Sequence, residues 1–445
     1  MNTPLRKLFA GTLLAVSAAL IATAGAFALE IREIESPGGI RAWHVHEPSI
    51  PIIAVELAFR GGSLLDPTGT EGLAHMVSGL LDEGAGELDS RAFQERLADH
   101  AIEFSAHTRR ETFDVSLRTL TENREEAFRL LGLALTSPRF DMEPVERVRR
   151  QILSKLKQDE NDPGEIAGRT WQRVAFPDHP FGRPPHGTAE SVQGVTIAQL
   201  GAFVDSRLAR DNVVIAVVGD IDADELGRLL DLALGDLPEV AASTDIAAAW
   251  PVRGGATIVV RQDIPQSLVR FGLGGLARDD PDFYAAYLMN NVLGGGGFTS
   301  RLYHEVREKR GLAYSVYTYI QTFDRGGVYM GGAATANERV AETIAVIREE
   351  LDRLVRDGVT AEELRRAKDY VIGAYPLRLT SNASIANALI NIQLDDLGMD
   401  YLERRAAEIE AVTGADVHRV ARRLIRTDDL IVVVVGDPAG IDASD

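Results

Sequence analysis

The chain repeats itself, and that repeat constrains its fold more than any other feature. Asp211-Asn-Val-Val-Ile-Ala-Val-Val-Gly-Asp220 resembles Asp428-Asp-Leu-Ile-Val-Val-Val-Val-Gly-Asp437, at an offset of 217 residues on the glycines. Val195-Thr196 and Val412-Thr413 match at the same offset, each ahead of a helical pattern ending at Leu208 or Ile425. Each half therefore closes with a helix and a buried apolar strand stopped by Gly-Asp. Ser90-Arg91 and Ser300-Arg301 match at an offset of 210. Each pair opens a helical stretch, 93–97 or 303–310, followed by a strand-like run, 104–115 or 313–320. Extended apolar runs at 52–59 and 256–260 open the halves. The expected fold is α+β: two homologous domains, 29–238 and 254–445, each a mixed β-sheet with helices packed against it. A small-residue stretch, 239–253, reads as the linker.

Composition removes several function classes. Apolar residues make up 45% and charged residues 25%, a globular balance rather than a disordered one. Lys and Arg number 47 against 66 Asp and Glu, a net charge of −19 that repels nucleic acid and anionic lipid. There is no cysteine, so disulfides, thiolate metal sites and cysteine nucleophiles are excluded. Any metal must sit on His, Asp, Glu or backbone oxygen. At the N-terminus, Arg6 and Lys7 precede an apolar stretch of about 17 residues, short for a membrane span. Ala26-Phe27-Ala28 then matches a small-x-small cleavage site. Residues 1–28 read as a signal peptide, with an uncleaved anchor as the alternative, and the mature protein is expected to be periplasmic.

The chemistry-bearing segment of the first half is Gly69-Thr-Glu-Gly72-Leu-Ala-His75-Met-Val-Ser78-Gly79-Leu-Leu-Asp82-Glu83-Gly84, which reads as a helix. It resembles the pitrilysin/insulinase family of zinc peptidases, which includes the mitochondrial processing peptidase and carries Gly-Leu-Ala-His-x-x-Glu-His on a helix. In that motif two His one turn apart hold zinc, and the Glu activates the bound water. A later helix supplies a third ligand, a Glu. Mapped by this resemblance, the first His is His75, the general-base position is Ser78 and the second His position is Gly79. The third-ligand helix falls at 146–157, with Lys155 at the ligand position and Val148 at an accessory Glu position. Serine is no carboxylate base, glycine has no ligand and a lysine cation repels zinc, so no catalytic residue and no metal ligand set is assigned to this chain. Gly79 reads as a costly mid-helix glycine. Asp82 and Glu83 lie two turns beyond His75, too far for easy shared coordination. His107 is a conceivable ligand on the next strand. His44 and His46 read as strand residues flanking solvent. His179 and His186, in a proline-rich loop, read as marks of the fold rather than of a site.

The second half contains Gly294-Gly295-Gly296-Gly297-Phe-Thr-Ser300-Arg301, then Glu305-Val-Arg307-Glu-Lys-Arg-Gly311-Leu-Ala-Tyr314. The glycine run lacks the Gly-Lys-Ser/Thr of a phosphate loop. It reads either as a tight helix-to-helix turn or as a substrate-touching loop. Gly311 can end the helix bearing Arg307, so that Tyr314 begins a strand and both side chains reach one oxygen. An exposed Arg paired with a neighbouring Glu is the simpler reading. Against it, the repeat places Leu97 and Phe104 opposite Arg307 and Tyr314. The resemblance implies that this Arg/Tyr pair binds the substrate backbone near the scissile carbonyl. The chain is thus expected to be the non-catalytic subunit of a heterodimeric periplasmic zinc peptidase, acting on unfolded peptides. A homologous partner would supply the zinc, and this chain would supply Arg307, Tyr314 and Gly294 to Gly297. A stand-alone zinc peptidase with an atypical site, and a peptide-binding or scaffold protein, are the alternatives.

Overall fold

The computed structural model describes residues 29–242 and 247–441, so the leader expected over 1–28 lies outside them. Among the described residues no helix is long and apolar enough to cross a membrane. The first half contains strands β1 (Arg32–Glu35), β2 (Arg41–His46), β3 (Ile52–Arg60), β4 (Gly84–Ala85), β5 (Leu88–Asp89), β6 (Glu103–Thr108), β7 (Thr112–Leu120) and β8 (Val213–Gly219). Its helices are α1 (Leu73–Ser78), α2 (Ser90–Asp99), α3 (Arg124–Thr136), α4 (Met142–Asp159), α5 (Pro163–Ala175), α6 (Ala189–Gly194), α7 (Ile197–Arg207) and α8 (Ala223–Leu234). The second half contains β9 (Ala256–Arg261), β10 (Gln266–Gly274), β11 (Ala313–Phe323), β12 (Gly326–Ala336) and β13 (Ile431–Gly436). Its helices are α9 (Phe283–Asn290), α10 (Val340–Asp357), α11 (Ala361–Gly373), α12 (Asn382–Leu394), α13 (Tyr401–Ala411) and α14 (Gly414–Leu424).

The duplication is one of topology. The first sheet runs β1-β2-β8-β3-β7-β6 and the second β9-β13-β10-β12-β11, so five strands occur in the same order in both. In each sheet the closing strand, β8 or β13, is parallel to β2 or β9 and antiparallel to β3 or β10, so the run 52–59 is the counterpart of β10 and not, as expected, of 256–260. The repeated residues have local causes. Thr196 and Thr413 both form capping boxes, with Gln199 and Asp416, at the start of α7 and α14. Gly219 and Gly436 end their strands at φ of +151° and +148°. A Cβ there would fall 2.2 Å from the Ile52 carbonyl oxygen or 2.3 Å from Ser267 Oγ, so only glycine fits.

Two more expectations are corrected. The run 104–115 is two strands, β6 and β7, because Arg109-Arg110-Glu111 turns the chain, with Arg109 N–H donating to the Thr112 carbonyl at 2.8 Å. Residues 303–310 form a π-helical turn over Tyr303–Glu308 rather than a regular helix.

A further feature was invisible in the sequence: the halves exchange a helix. Both faces of β8 and β13 are apolar and those of β3 and β10 nearly so, interrupted by Glu56 and Arg270, as strands covered on both sides require. One face of each sheet is covered by helices of its own half. The other face is covered from across the molecule. α5 of the first half lies on β10 and β13, and α12 of the second half lies on β3 and β8. The indole of Trp171, 1% exposed, donates to the Ile431 carbonyl at 3.3 Å, and a Cβ on Gly272 would fall 2.5 Å from the indole. On the other side Asn382 and Gln393 donate to the Ile52 and Ile215 carbonyls at 3.0 and 3.1 Å. The β6–β7 and β11–β12 turns also meet, where the Asp324 N–H donates to Glu111 at 2.9 Å.

This exchange predicts a single unfolding unit. Trp171→Ala is expected to lower stability by about 3–5 kcal/mol, with both halves still melting in one urea transition followed by circular dichroism. Separate transitions for the two halves would contradict the exchange.

Candidate functional site

In the first half the helix bearing His75 is short and heavily anchored. Asp66, 2% exposed, accepts hydrogen bonds from the N–H groups of Gly72 at 3.0 Å and Ala74 at 3.3 Å, holding the start of α1. Arg207 donates to the same carboxylate at 3.0 Å. Burial pushes the Asp66 carboxyl up to about 6, with Arg207 opposing the shift. Beneath α1, Arg149 of α4 is 5% exposed and donates to the carbonyls of Val192 and Val195, tying α4 to the end of α6.

The helix then stops early. Gly79 N–H bonds the His75 carbonyl at 3.3 Å with Gly79 as the C-cap, so this glycine ends α1 rather than weakening its middle. A Cβ on Gly79 would lie 3.2 Å from Val148 Cγ1. Two positions that the resemblance assigns to polar catalytic residues thus meet as backbone against hydrocarbon. The Ser78 hydroxyl is turned back onto the His75 carbonyl at 2.9 Å. Lys155 is exposed and pairs with Asp159 at 2.5 Å. Glu83 accepts from Ser90 and Arg147, each at 2.5 Å, and Asp82 accepts from Gln94 at 3.0 Å.

His75 does have a partner that the sequence did not reveal. The His186 ring lies 4.6 Å from it, tilted by 32°, so His186 is brought to the site position rather than only marking the fold. Burial, then His186 and His107, push the His75 imidazole down to about 4, and burial also lowers His186. Both are neutral at pH 7. His44 is likewise corrected: it is 3% exposed on β2, with its Nε2 lacking a partner. A catalytic zinc needs three protein ligands and an open position. Here two imidazoles are in tilted contact, the Lys155 position offers His186 a positive charge rather than a carboxylate ligand, and the nearby acids are committed elsewhere. Among the described residues no group of three or more His, Asp or Glu is arranged for a metal ion. These residues do not fit the zinc that the resemblance implies.

The second half is built differently at the equivalent place. Gly311, at φ +58°, closes the π-helical turn: its N–H bonds the Arg307 carbonyl at 2.9 Å and Leu312 N–H bonds the Val306 carbonyl at 2.8 Å. The register of β11 against β12 shifts between Ala313 and Ser315. Tyr314 is the extra residue of this bulge, which turns its side chain outward, 77% exposed. The Arg307 guanidinium lies over the Tyr314 ring at 4.4 Å and over the Tyr303 ring at 4.9 Å. Phe298, 75% exposed, meets Tyr303 edge-on at 4.9 Å. The neighbouring acids are spent on other cations, Glu305 on Lys309 and Arg310, and Glu308 on His304. Arg307 is therefore stacked, not salt-bridged.

The glycine run divides in two. A Cβ on Gly294 would fall 2.5 Å from Thr318 Oγ1, and Cβ atoms on Gly295 and Gly296 would collide with Asn290 and Asn291. Gly294 packs the turn against β11, and Gly295 and Gly296 close it on Asn290 and Asn291. Gly297, at φ +59°, has open space around it. Just beyond, Arg301 pairs with Glu363 at 2.7 Å and donates to the Gly358 carbonyl at 2.9 Å. This fixes the segment that leads to Arg307.

Fold and site together define a duplicated α+β scaffold whose motif positions carry His75, Ser78, Gly79 and Lys155, of which His75 alone is an ordinary zinc ligand. The chain belongs to peptidase family M16: the family model described as insulinase, peptidase family M16, matches residues 41–189, and that of the peptidase M16 inactive domain matches 194–371. The chain is 27% identical over 389 residues to the non-peptidase homolog YmxG of Helicobacter pylori, covering 87% of this chain and 90% of that one. It is 29% identical over 392 residues to a protein of Mycobacterium leprae named an uncharacterized zinc protease, covering 87% and 88%. Among solved structures, a peptidase M16 inactive domain from Pseudomonas fluorescens superposes with a TM-score of 0.87 at 27% identity, covering 94% of this chain and all of that one. A protease from Helicobacter pylori superposes with a TM-score of 0.82 at 18% identity, covering 92% and 99%, and shares the fold.

The depressed His75 has a pH consequence. Its folded-state pKa lies below the unfolded value of 6.5, so the unfolded chain takes up a proton first. The stability tied to a neutral His75 is present above pH 6.5 and is lost as pH falls toward 4. His75→Gln is expected to reduce the loss of stability between pH 7 and 4.5 by roughly 1–2 kcal/mol, measured by urea denaturation at each pH. An identical loss in both proteins would show that His75 is not buried as described.

Proposed function

We propose that the chain is a non-catalytic subunit that acts in trans, presenting Arg307 and Tyr314 to the substrate of a homologous zinc peptidase. The observation that carries this reading is the stacked, acid-free Arg307 beside a bulge-displaced Tyr314. The phenol stands exposed and the cation half-exposed beside the edge strand β11, while among the described residues the first half lacks a ligand set. A guanidinium and a phenol held this way donate well to a peptide carbonyl as negative charge develops on its oxygen. The partner supplies zinc, its ligands and the general base. The substrate is an unfolded peptide, bound in extended form so that its backbone pairs with a free strand edge. The loop from Gly294 to Gly297, with Phe298, forms the rim on one side. The likeness to a relative named a non-peptidase homolog supports the inactive half of this reading. The N-terminal 28 residues fit export to the periplasm.

The test is reconstitution. The purified chain alone is expected to cleave no peptide and to bind no stoichiometric zinc. Together with a homologue carrying an intact His-x-x-Glu-His, it is expected to form an active pair. Arg307→Ala is expected to lower kcat of that pair by about 100-fold, in the range for losing one oxyanion donor, without dissociating it. Unchanged turnover, or chelator-sensitive cleavage by the chain alone, would overturn the proposal.

A further inference from the structure

Between the two halves, where α5 crosses the second sheet, lies a small cavity of about 40 Å³. Two arginines line it, Arg110 from the β6–β7 turn and Arg270 from β10, and no acidic side chain does. In a chain of net charge −19 that is an unusual place for two cations. Arg110 donates to the Gln172 side-chain oxygen and, at 3.3 Å, to the Arg183 carbonyl. Its guanidinium sits 6.0 Å above the Phe181 ring. The adjacent Glu111 is turned away to accept the Asp324 N–H. Arg270 makes one hydrogen bond, to the Tyr319 hydroxyl at 3.2 Å, and its buried Nε has no partner. The wall is completed by Trp171 and other aromatic rings.

Among the described residues neither cation has a carboxylate within ion-pair distance. Burial pushes the Arg110 guanidinium down to about 10, with Glu111 alone opposing. Both side chains are half-buried, and cations drawn out of water normally pair, because desolvation without a counter-charge is unfavourable. The unmade donors of two planar guanidinium forks match a flat or tetrahedral oxyanion. The volume has room for about three water-sized groups, enough for a carboxylate or phosphate head.

We infer that this inter-half cavity is a binding site for a small oxyanion, a carboxylate or a phosphate, clasped between Arg110 and Arg270. It draws residues from both halves, so an occupant ties them together. The inference is independent of the trans-acting role, since it concerns neither Arg307 nor a partner.

The test uses the full chain. Its melting temperature is followed in acetate, in inorganic phosphate and in chloride at equal ionic strength. Binding is also measured for two peptides that differ only in carrying a free C-terminal carboxylate or an amide. Acetate or phosphate is expected to raise the melting temperature above that in chloride. Arg270→Gln, and independently Arg110→Lys, are each expected to weaken that binding by at least about tenfold. Tighter binding of the free-carboxylate peptide identifies a peptide terminus as the occupant. Equal peptide binding with retained phosphate binding identifies a free anion. Equal melting in all three salts, or an undiminished oxyanion response in both folded variants, would overturn the site.

Discussion

The reciprocal placement of α5 and α12 is the constraint on which the rest of the structure depends. Each sheet has two apolar faces and only one set of its own helices to cover them. The second cover is borrowed from the other half, through Trp171 on one side and the Ile385–Ile392 face on the other. The strands β6 and β11 stand at the ends of their sheets and keep free edges, on the rims where His107 and Tyr314 stand. The same exchange brings the turns at Glu111 and Asp324 into contact and encloses the cavity between Arg110 and Arg270.

The two rims have diverged in opposite chemical directions. At the first, Gly79 and Val148 close on each other, Ser78 folds back onto its own helix and His75 meets His186 in a tilted contact. Lys155 is engaged by Asp159. At the second, a π-helical turn, a glycine-closed end and a β-bulge each depart from regular geometry, and together they hold Arg307 against two phenols. Irregular backbone of this kind is costly unless the surroundings enforce it. Here Arg301, locked to Glu363 and the Gly358 carbonyl, supplies that enforcement.

Much of the fold was legible because the repeated residues have strictly local jobs. A threonine that caps a helix and a glycine that must take positive φ leave the same mark in both halves. The hairpin of β6 and β7 was not legible, since its turn is made of Arg109, Arg110 and Glu111 rather than Gly or Pro. Nor was the helix exchange, because an amphipathic α5 reads the same whichever sheet it covers. At the site, the loss of ligand chemistry was readable from residue types alone. The contact between His75 and His186 was not, being set by a loop more than 100 residues away. The bulge at Tyr314 was hidden as well, since a single inserted residue leaves the apolar alternation of a strand almost unchanged.

The exchanged helices also change what the connection between the halves is for. In two side-by-side domains a linker alone keeps the parts together. Here a chain severed between β8 and β9 would remain one particle, because each fragment carries a helix that the other cannot do without. The connection serves chiefly to keep the two fragments at high effective concentration while they assemble. It also contributes Ala249, buried and bridged to Gly326, to the packing that Gly272, whose Cβ would collide with the indole of the opposite half, holds in place.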